Sequence, residues 1–172
     1  MTEYKAFETE RLVVKPTLEE DAEFIFELLN SPNWMKYIGN RNVTSIESAR
    51  EYIKFKMLPQ LERLGFGNYT VIRKSDQAKM GICGLYDREG LDGLDIGFAF
   101  LSEYEGHGYA FESASKLKQV ISDDFGITDI VAITSQDNVS SQKLLEKLGL
   151  RLTGTTTIPN DDKELLLYKI GK

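Results

Sequence analysis

The stretch Asp95-Ile-Gly-Phe-Ala-Phe-Leu101, continued by Ser102-Glu-Tyr-Glu105 and Gly106-His-Gly-Tyr-Ala110, decides the fold. Its first part is a short apolar run suited to a strand. Its last part is a glycine loop that opens a helix, since Ala110, Ala114, Leu117 and Ile121 share one helical face between Tyr109 and about Phe125. Strand, glycine loop and helix make the layout of an anion site. The first N–H groups of a helix have no intrahelical partner, and the helix dipole favours negative charge there. Glycine lets the backbone approach a phosphate closely. Gly106, His107, Gly108, Tyr109 and Ala110 are therefore the expected phosphate or pyrophosphate contacts. A tight strand-to-helix turn with no ligand is the competing account of the same glycines.

Two phosphate-binding patterns can be tested against this loop. A P-loop needs Gly-Lys-Ser/Thr, and the chain has Gly108-Tyr109-Ala110. A dinucleotide fold wants a third glycine where Phe111 stands, and a βαβ start rather than three antiparallel strands. Asp129, about 20 residues beyond the loop, keeps a dinucleotide-binding oxidoreductase as a minor alternative.

Working outward, Arg11–Pro16 reads as a strand, and Thr17-Leu-Glu-Glu20 as a capping box for a helix over 18–29. Asn30-Ser-Pro-Asn33 breaks that helix. Thr44-Ser-Ile-Glu47 is a second capping box, opening a helix to about Leu64 that Pro59 should kink or split. Strands are expected over 68–74, 80–86 and 95–101, with a hairpin loop at 75–79. Residues 129–134 form a strand apolar on both faces, and 140–148 a helix closed by Gly149. A last hairpin, 150–157 and 163–170, turns around Pro159-Asn160-Asp161. The order is β-α-α-β-β-β-α-β-α-β-β, a mixed α/β (α+β) sheet of about seven strands with four or five helices. No linker interrupts the chain, so 1–172 reads as a single domain.

Composition narrows the chemistry. One cysteine makes no internal disulfide, and one cysteine with one histidine makes no zinc site, so no metal is expected. The net charge of −6 argues against nucleic acid and anionic membranes as partners. No apolar run approaches a membrane span, and Met1-Thr2-Glu3-Tyr4-Lys5 lacks a signal-peptide core, so a cytoplasmic location is expected.

Glu10-Arg-Leu12, Ile96-Gly-Phe98, Glu105-Gly-His-Gly-Tyr-Ala110 with Glu112, and Asn138-Val-Ser-Ser141 leading to Leu145-Glu-Lys-Leu-Gly149 together resemble the GNAT N-acetyltransferase superfamily. The nearest branch is the ribosomal-protein N-terminal acetyltransferase type. The resemblance spans roughly residues 9–149. It departs at Glu103, where the family often has Gln or Arg, and at Leu145, where many members place a tyrosine acid.

The resemblance implies acetyl-CoA as donor and direct transfer to a primary amine, either a small molecule or a protein N-terminus. Pantetheine would pair with Phe98, Ala99 and Phe100 like an added strand, their N–H groups also polarising the thioester carbonyl. Asn138 would bind the pantetheine amide, or simply cap its helix. Asp95 is the first candidate base, ahead of Glu103, Asp87, Asp161, Asp162 and Glu164. Ser141 is the candidate proton donor to the leaving thiolate, with Tyr109 and Tyr86 as back-ups. Trp34 and Tyr37, between the first two helices, and Tyr86 are candidate acceptor contacts, or core aromatics. His107 meets a phosphate or faces solvent, Lys143 and Lys147 reach CoA phosphates or solvent, and Cys83 belongs to the core. A non-catalytic acyl-CoA-binding module on the same fold is the main alternative. A homodimer is compatible with this reading.

Overall fold

The computed structural model describes residues 4–159 and 161–170. Residues 1–3, 160, 171 and 172 lie outside the described residues, so the Asn160 of the expected hairpin turn is among them. The chain forms strands β1 (Phe7–Glu8), β2 (Leu12–Pro16), β3 (Asn68–Arg73), β4 (Lys79–Tyr86), β5 (Leu94–Phe100), β6 (Ile130–Thr134), β7 (Leu150–Thr156) and β8 (Leu165–Ile170). The helices are α1 (Ala22–Leu29), α2 (Pro32–Tyr37), α3 (Ile46–Tyr52), α4 (Leu58–Leu64), α5 (Tyr109–Phe125) and α6 (Val139–Lys147). One eight-stranded sheet runs β1-β2-β3-β4-β5-β6-β8-β7. Every pairing is antiparallel except β5 with β6.

The mixed fold expected from the sequence is observed, with eight strands rather than seven. The extra strand is β1, whose two residues pair with Val13 and Val14. Two residues carry no alternation that a sequence pattern can register. The segment 32–37, read as a helix break, makes the short helix α2, with Pro32 in its first turn, where a missing N–H costs nothing.

Both capping boxes shift. The Thr17 hydroxyl is buried against Thr70 rather than capping, and Asp21 Oδ2 accepts from Leu18 N–H at 3.0 Å as a 3₁₀ turn leads into α1. Ser45, not Thr44, caps α3 by accepting from Ser48 N–H at 3.0 Å. Pro59 does split its helix. A π-helical turn, Ile53–Met57, joins α3 to α4. The wider turn accommodates a residue that has no N–H and whose ring crowds the preceding carbonyls.

The sheet separates two apolar layers. One joins Leu117, Ile121 and Leu145 of α5 and α6 to Leu12, Val14, Cys83, Leu85, Ile96, Phe100 and Tyr168. The other joins Ile25, Leu28, Trp34, Ala49 and Ile53 of the α1–α4 segment to Ile82 and Leu101. The switch between Ile82 and Cys83 is the period-2 alternation of a strand with both faces covered.

Candidate active site

The parallel pair β5–β6 is joined only at Leu94 with Ile130 and Asp95 with Val131. Beyond Asp95 the two strands part, leaving a cleft whose closed end is Asp95. Leu101 N–H bonds to Met80 O at 3.0 Å across the β4–β5 ladder. Residues alternate in the direction of their backbone groups, so Ala99 and Gly97 also turn toward β4. Phe98 and Phe100 therefore turn their N–H and C=O into the cleft. Of the three residues expected along it, Ala99 spends its backbone groups on β4.

The open end of the cleft meets the glycine loop. Gly106 and Gly108 have φ of +80° and +81°, a region that L side chains rarely enter. No atom crowds Gly106, so its backbone conformation, not packing, requires glycine there. The first backbone bond of α5 runs from Glu112 N–H to Gly108 O at 3.0 Å. None of the N–H groups of Gly106, His107, Gly108, Tyr109, Ala110 and Phe111 donates to an acceptor among the described residues. Unspent donors, no side-chain cap on α5 and exposed glycines suit a bound anion.

The loop is anchored from below. The Tyr109 ring is buried, its hydroxyl accepts from Arg73 Nη1 at 3.4 Å, and the Arg11 guanidinium lies 4.4 Å over the ring. Tyr109 thus offers the loop its N–H and not its phenol. Glu112, in the first turn of α5, accepts from Arg11 Nε at 2.7 Å, from Arg11 N–H at 3.1 Å and from the Thr9 hydroxyl. Partial burial pushes the Glu112 carboxyl up, but the Thr9 and Arg11 hydrogen bonds together hold it below its usual range. His107 is exposed, beside Tyr109.

Asp95 is 3 % exposed, and its Oδ2 accepts from Arg88 Nε at 2.9 Å. Burial raises the carboxyl to about pH 6, against the opposing pull of Arg88 and a hydrogen bond from the Ile133 backbone. Tyr86 stands opposite Asp95 on β4. Its ring lies across Gly84 and Gly97. A Cβ on Gly84 would stand 2.6 Å from the phenol, and one on Gly97 would stand 3.0 Å from the ring edge. The Tyr86 hydroxyl donates to Asn68 Oδ1 at 2.5 Å, facing β3 and not the cleft. Asn68 in turn donates to the Thr17 hydroxyl at 2.8 Å, which meets Thr70 at 2.8 Å. With its proton committed and burial pushing its pKa well up, Tyr86 is a poor proton donor.

Across the cleft, Asn138 Oδ1 caps α6 by accepting from Ser141 N–H at 3.2 Å. That occupies the amide oxygen and leaves Nδ2 without an acceptor among the described residues. The Ser141 side chain is half-buried. Before it, the buried Ser135 donates to Asp137 and accepts from Lys163 Nζ at 3.0 Å, tying the β7–β8 loop to the end of β6. Trp34 is buried with Ile82 and Leu101, and its Nε1 has no partner among the described residues. Tyr37 is partly exposed, under Lys36. On α2, Asn33 donates to Glu105 Oε1 at 2.9 Å, beside the glycine loop. Lys147 approaches the Phe111 ring at 4.3 Å, and Lys143 is exposed. Cys83 is fully buried, its thiol pushed up to about 12 by that burial, and it is inert. Leu145, at the position of the family's tyrosine, is core.

Arg88 and Arg11 have no part in the motif reading as individual side chains. Arg88 lies in the connection beyond the last paired residues, Tyr86 and Asp95, where no strand pattern marks it.

The model of the acetyltransferase (GNAT) domain matches residues 11–151. The N-acetyltransferase YoaA of Bacillus subtilis (strain 168) is 27% identical over 152 residues, covering 88% of this chain and 85% of that protein. The acetyltransferase of Agrobacterium tumefaciens strain C58 superposes with a TM-score of 0.82 at 20% identity, over 100% of this chain and 97% of that one. The ribosomal L7/L12 alpha-N-protein acetyltransferase in complex with coenzyme A superposes at 0.80 with 16% identity, over 96% and 97% of the two chains. A splayed parallel pair with an amide-rich glycine loop at its mouth, and a family match over most of the chain, agree: the chain belongs to the GNAT family of acetyltransferases.

Proposed function

We propose that the chain, one domain throughout, transfers the acetyl group of acetyl-CoA directly to a primary amine, of a small molecule or a protein N-terminus. The observation that carries this is the gap opening beyond Asp95 and Val131, ending at the undonated N–H groups of Gly106–Phe111. These residues fit the donor's parts. The loop offers amides and a helix dipole to a pyrophosphate, and Phe98 and Phe100 offer strand-like partners to pantetheine. Bound acetyl-CoA supplies an acyl group on a good leaving thiolate. The structurally similar L7/L12 acetyltransferase was solved with coenzyme A, which supports the same donor here.

The chain's own residues supply the proton transfers. An ammonium acceptor must lose a proton before it attacks, and Asp95, at the closed end of the cleft, accepts it. A carboxyl raised to about 6 is a stronger base than an ordinary aspartate and still ionised near neutral pH. The N–H groups of Phe98 and Phe100 would donate to the carbonyl oxygen of the acyl group. Ser141 would donate a hydrogen bond to the departing thiolate, a role left to it by the apolar Leu145 and the committed hydroxyl of Tyr86. Asn138 Nδ2 steadies the pantetheine.

Thermal shift with acetyl-CoA, CoA and NAD, then thiol release over a panel of free amino acids, polyamines and peptides with open N-termini, tests this reading. Stabilisation by both CoA forms and release with at least one amine is expected. Stabilisation by NAD alone would overturn it.

A further inference from the structure

Arg11 stands at the anion loop with both Nη groups of its guanidinium unspent among the described residues. Its Nε is fixed by Glu112 Oε1 at 2.7 Å and its plane rests 4.4 Å over Tyr109, itself buried and held by Arg73. Neither Nη atom donates to an acceptor among the described residues. Nη2 lies so near Gly108 that a Cβ there would be only 3.4 Å from it. The side chain is 43% exposed, and a hollow lined by Thr9, Arg11, Gly108, Phe111, Lys116 and the Arg11-paired Glu112 opens beside it. A long side chain ordinarily loses rotamer freedom on binding. Here Glu112 and Tyr109 have already fixed it.

We infer that Arg11 is a cofactor-binding residue, its free Nη edge donating to a phosphate of the CoA moiety seated on Gly106–Phe111. This rests on the acetyl-CoA reading above. A guanidinium presents its donors in a planar fork that matches phosphate oxygens, and hydrogen bonds between charged partners exceed those of neutral amides. The Glu112 carboxylate then has a defined task. It orients Arg11 through Nε, and Arg11 offsets the negative charge that Glu112 brings to the first turn of α5.

Calorimetric titration of CoA and of dephospho-CoA into the wild type, Arg11→Gln, Glu112→Gln and the double variant tests this. Arg11→Gln should weaken CoA binding about 10- to 100-fold. The double variant should stay weak, because removing Glu112 cannot restore a lost donor. An equal loss with dephospho-CoA assigns the contact to the pyrophosphate, and a loss confined to CoA assigns it to the 3′-phosphate. Either supports the inference. Affinity within twofold of wild type in Arg11→Gln, or recovery in the double variant, would overturn it, the latter reducing Arg11 to a neutraliser of Glu112. If Arg11→Gln fails to fold, Arg11→Lys serves. It keeps the charge but cannot hold Glu112 and present a fork together, so binding is weakened, and wild-type affinity there overturns the inference. A wild type that does not bind CoA overturns the cofactor reading itself.

Discussion

Arg88, two residues beyond β4, reaches Asp95, the second residue of β5, its Nε donating to Asp95 Oδ2 at 2.9 Å. The pair sets two opposed demands on one carboxyl. Burial raises its pKa and Arg88 lowers it, with a balance near 6. Tyr86 on β4 and the Ile133 backbone on β6 complete its surroundings.

The acidic limb of kcat/KM should therefore rise with pH through about 6, as Asp95 loses its proton and becomes a base. Arg88→Gln removes the cation that favours the ionised form, so the limb moves to higher pH. Carbon-13 NMR of labelled aspartate carboxyls reads the same shift without any acceptor. The sign for stability is the reverse. A carboxyl whose folded pKa exceeds its unfolded value stabilises fully below the unfolded pKa, and that contribution is lost as pH rises from about 4 through 6. The melting temperature of wild type relative to that of Asp95→Asn should therefore fall as pH rises across that window. A limb unmoved in Arg88→Gln would remove Asp95 from the base role.

Asp95→Asn should lower turnover about 10²- to 10⁴-fold, the usual contribution of a general base, with CoA affinity unchanged. Ser141→Ala should likewise reduce turnover more than CoA affinity. Turnover against matched CoA titrations separates these from a binding defect.

Much of this site was legible because its loop chemistry is local. The glycines at 106 and 108 and the helix from Tyr109 to Phe125 follow from backbone conformation and apolar spacing within a short window. The Arg11–Glu112 clamp and the path from Tyr86 through Asn68 to Thr17 join residues far apart in sequence, and Arg88 and Asp95, seven residues apart, meet only because the chain folds back between β4 and β5. Sheet pairing and the packing of α5 bring these groups together, and both are set by the whole fold. Tyr86 illustrates the consequence. Its sequence position suggested acceptor contact, and the structure turns its hydroxyl toward β3 because Gly84 and Gly97 leave room for the ring to lie flat.

That room makes Gly84 a sensitive position. An alanine methyl would stand 2.6 Å from the Tyr86 phenol and 2.7 Å from Gly67 O. Gly84→Ala should cost about 1–3 kcal/mol, the range for overpacking a filled interior. Gly84→Ala with Tyr86→Leu should recover only part, because the Gly67 carbonyl stays in place. Denaturant midpoints of the two variants check both statements.

Gly106→Glu and Gly108→Val should abolish CoA binding while the fold survives. At Gly106 nothing crowds a new side chain, so the cost is the left-handed backbone itself, about 1–2 kcal/mol. That is small beside the stability of a domain, but the added carboxylate would sit where the pyrophosphate charge is expected. At Gly108 the branched side chain would press on Arg11 Nη2. A folded variant by circular dichroism with undiminished CoA affinity would show that the loop does not hold the phosphates.

Asn138 carries two functions on two atoms, and they can be taken apart. Its Oδ1 caps α6 through Ser141 N–H, whereas Nδ2 is the donor proposed for pantetheine. Asn138→Asp keeps an oxygen at the helix N-terminus, where a negative charge also suits the dipole, so the melting temperature should hold or rise. The same change replaces the donor with a second acceptor, so CoA should bind more weakly. Asn138→Ala loses both, with about 1 kcal/mol of stability gone along with the affinity. Melting temperature and CoA affinity measured side by side give the discriminating pattern. If the aspartate variant binds CoA as tightly as wild type, Asn138 is a cap and nothing more.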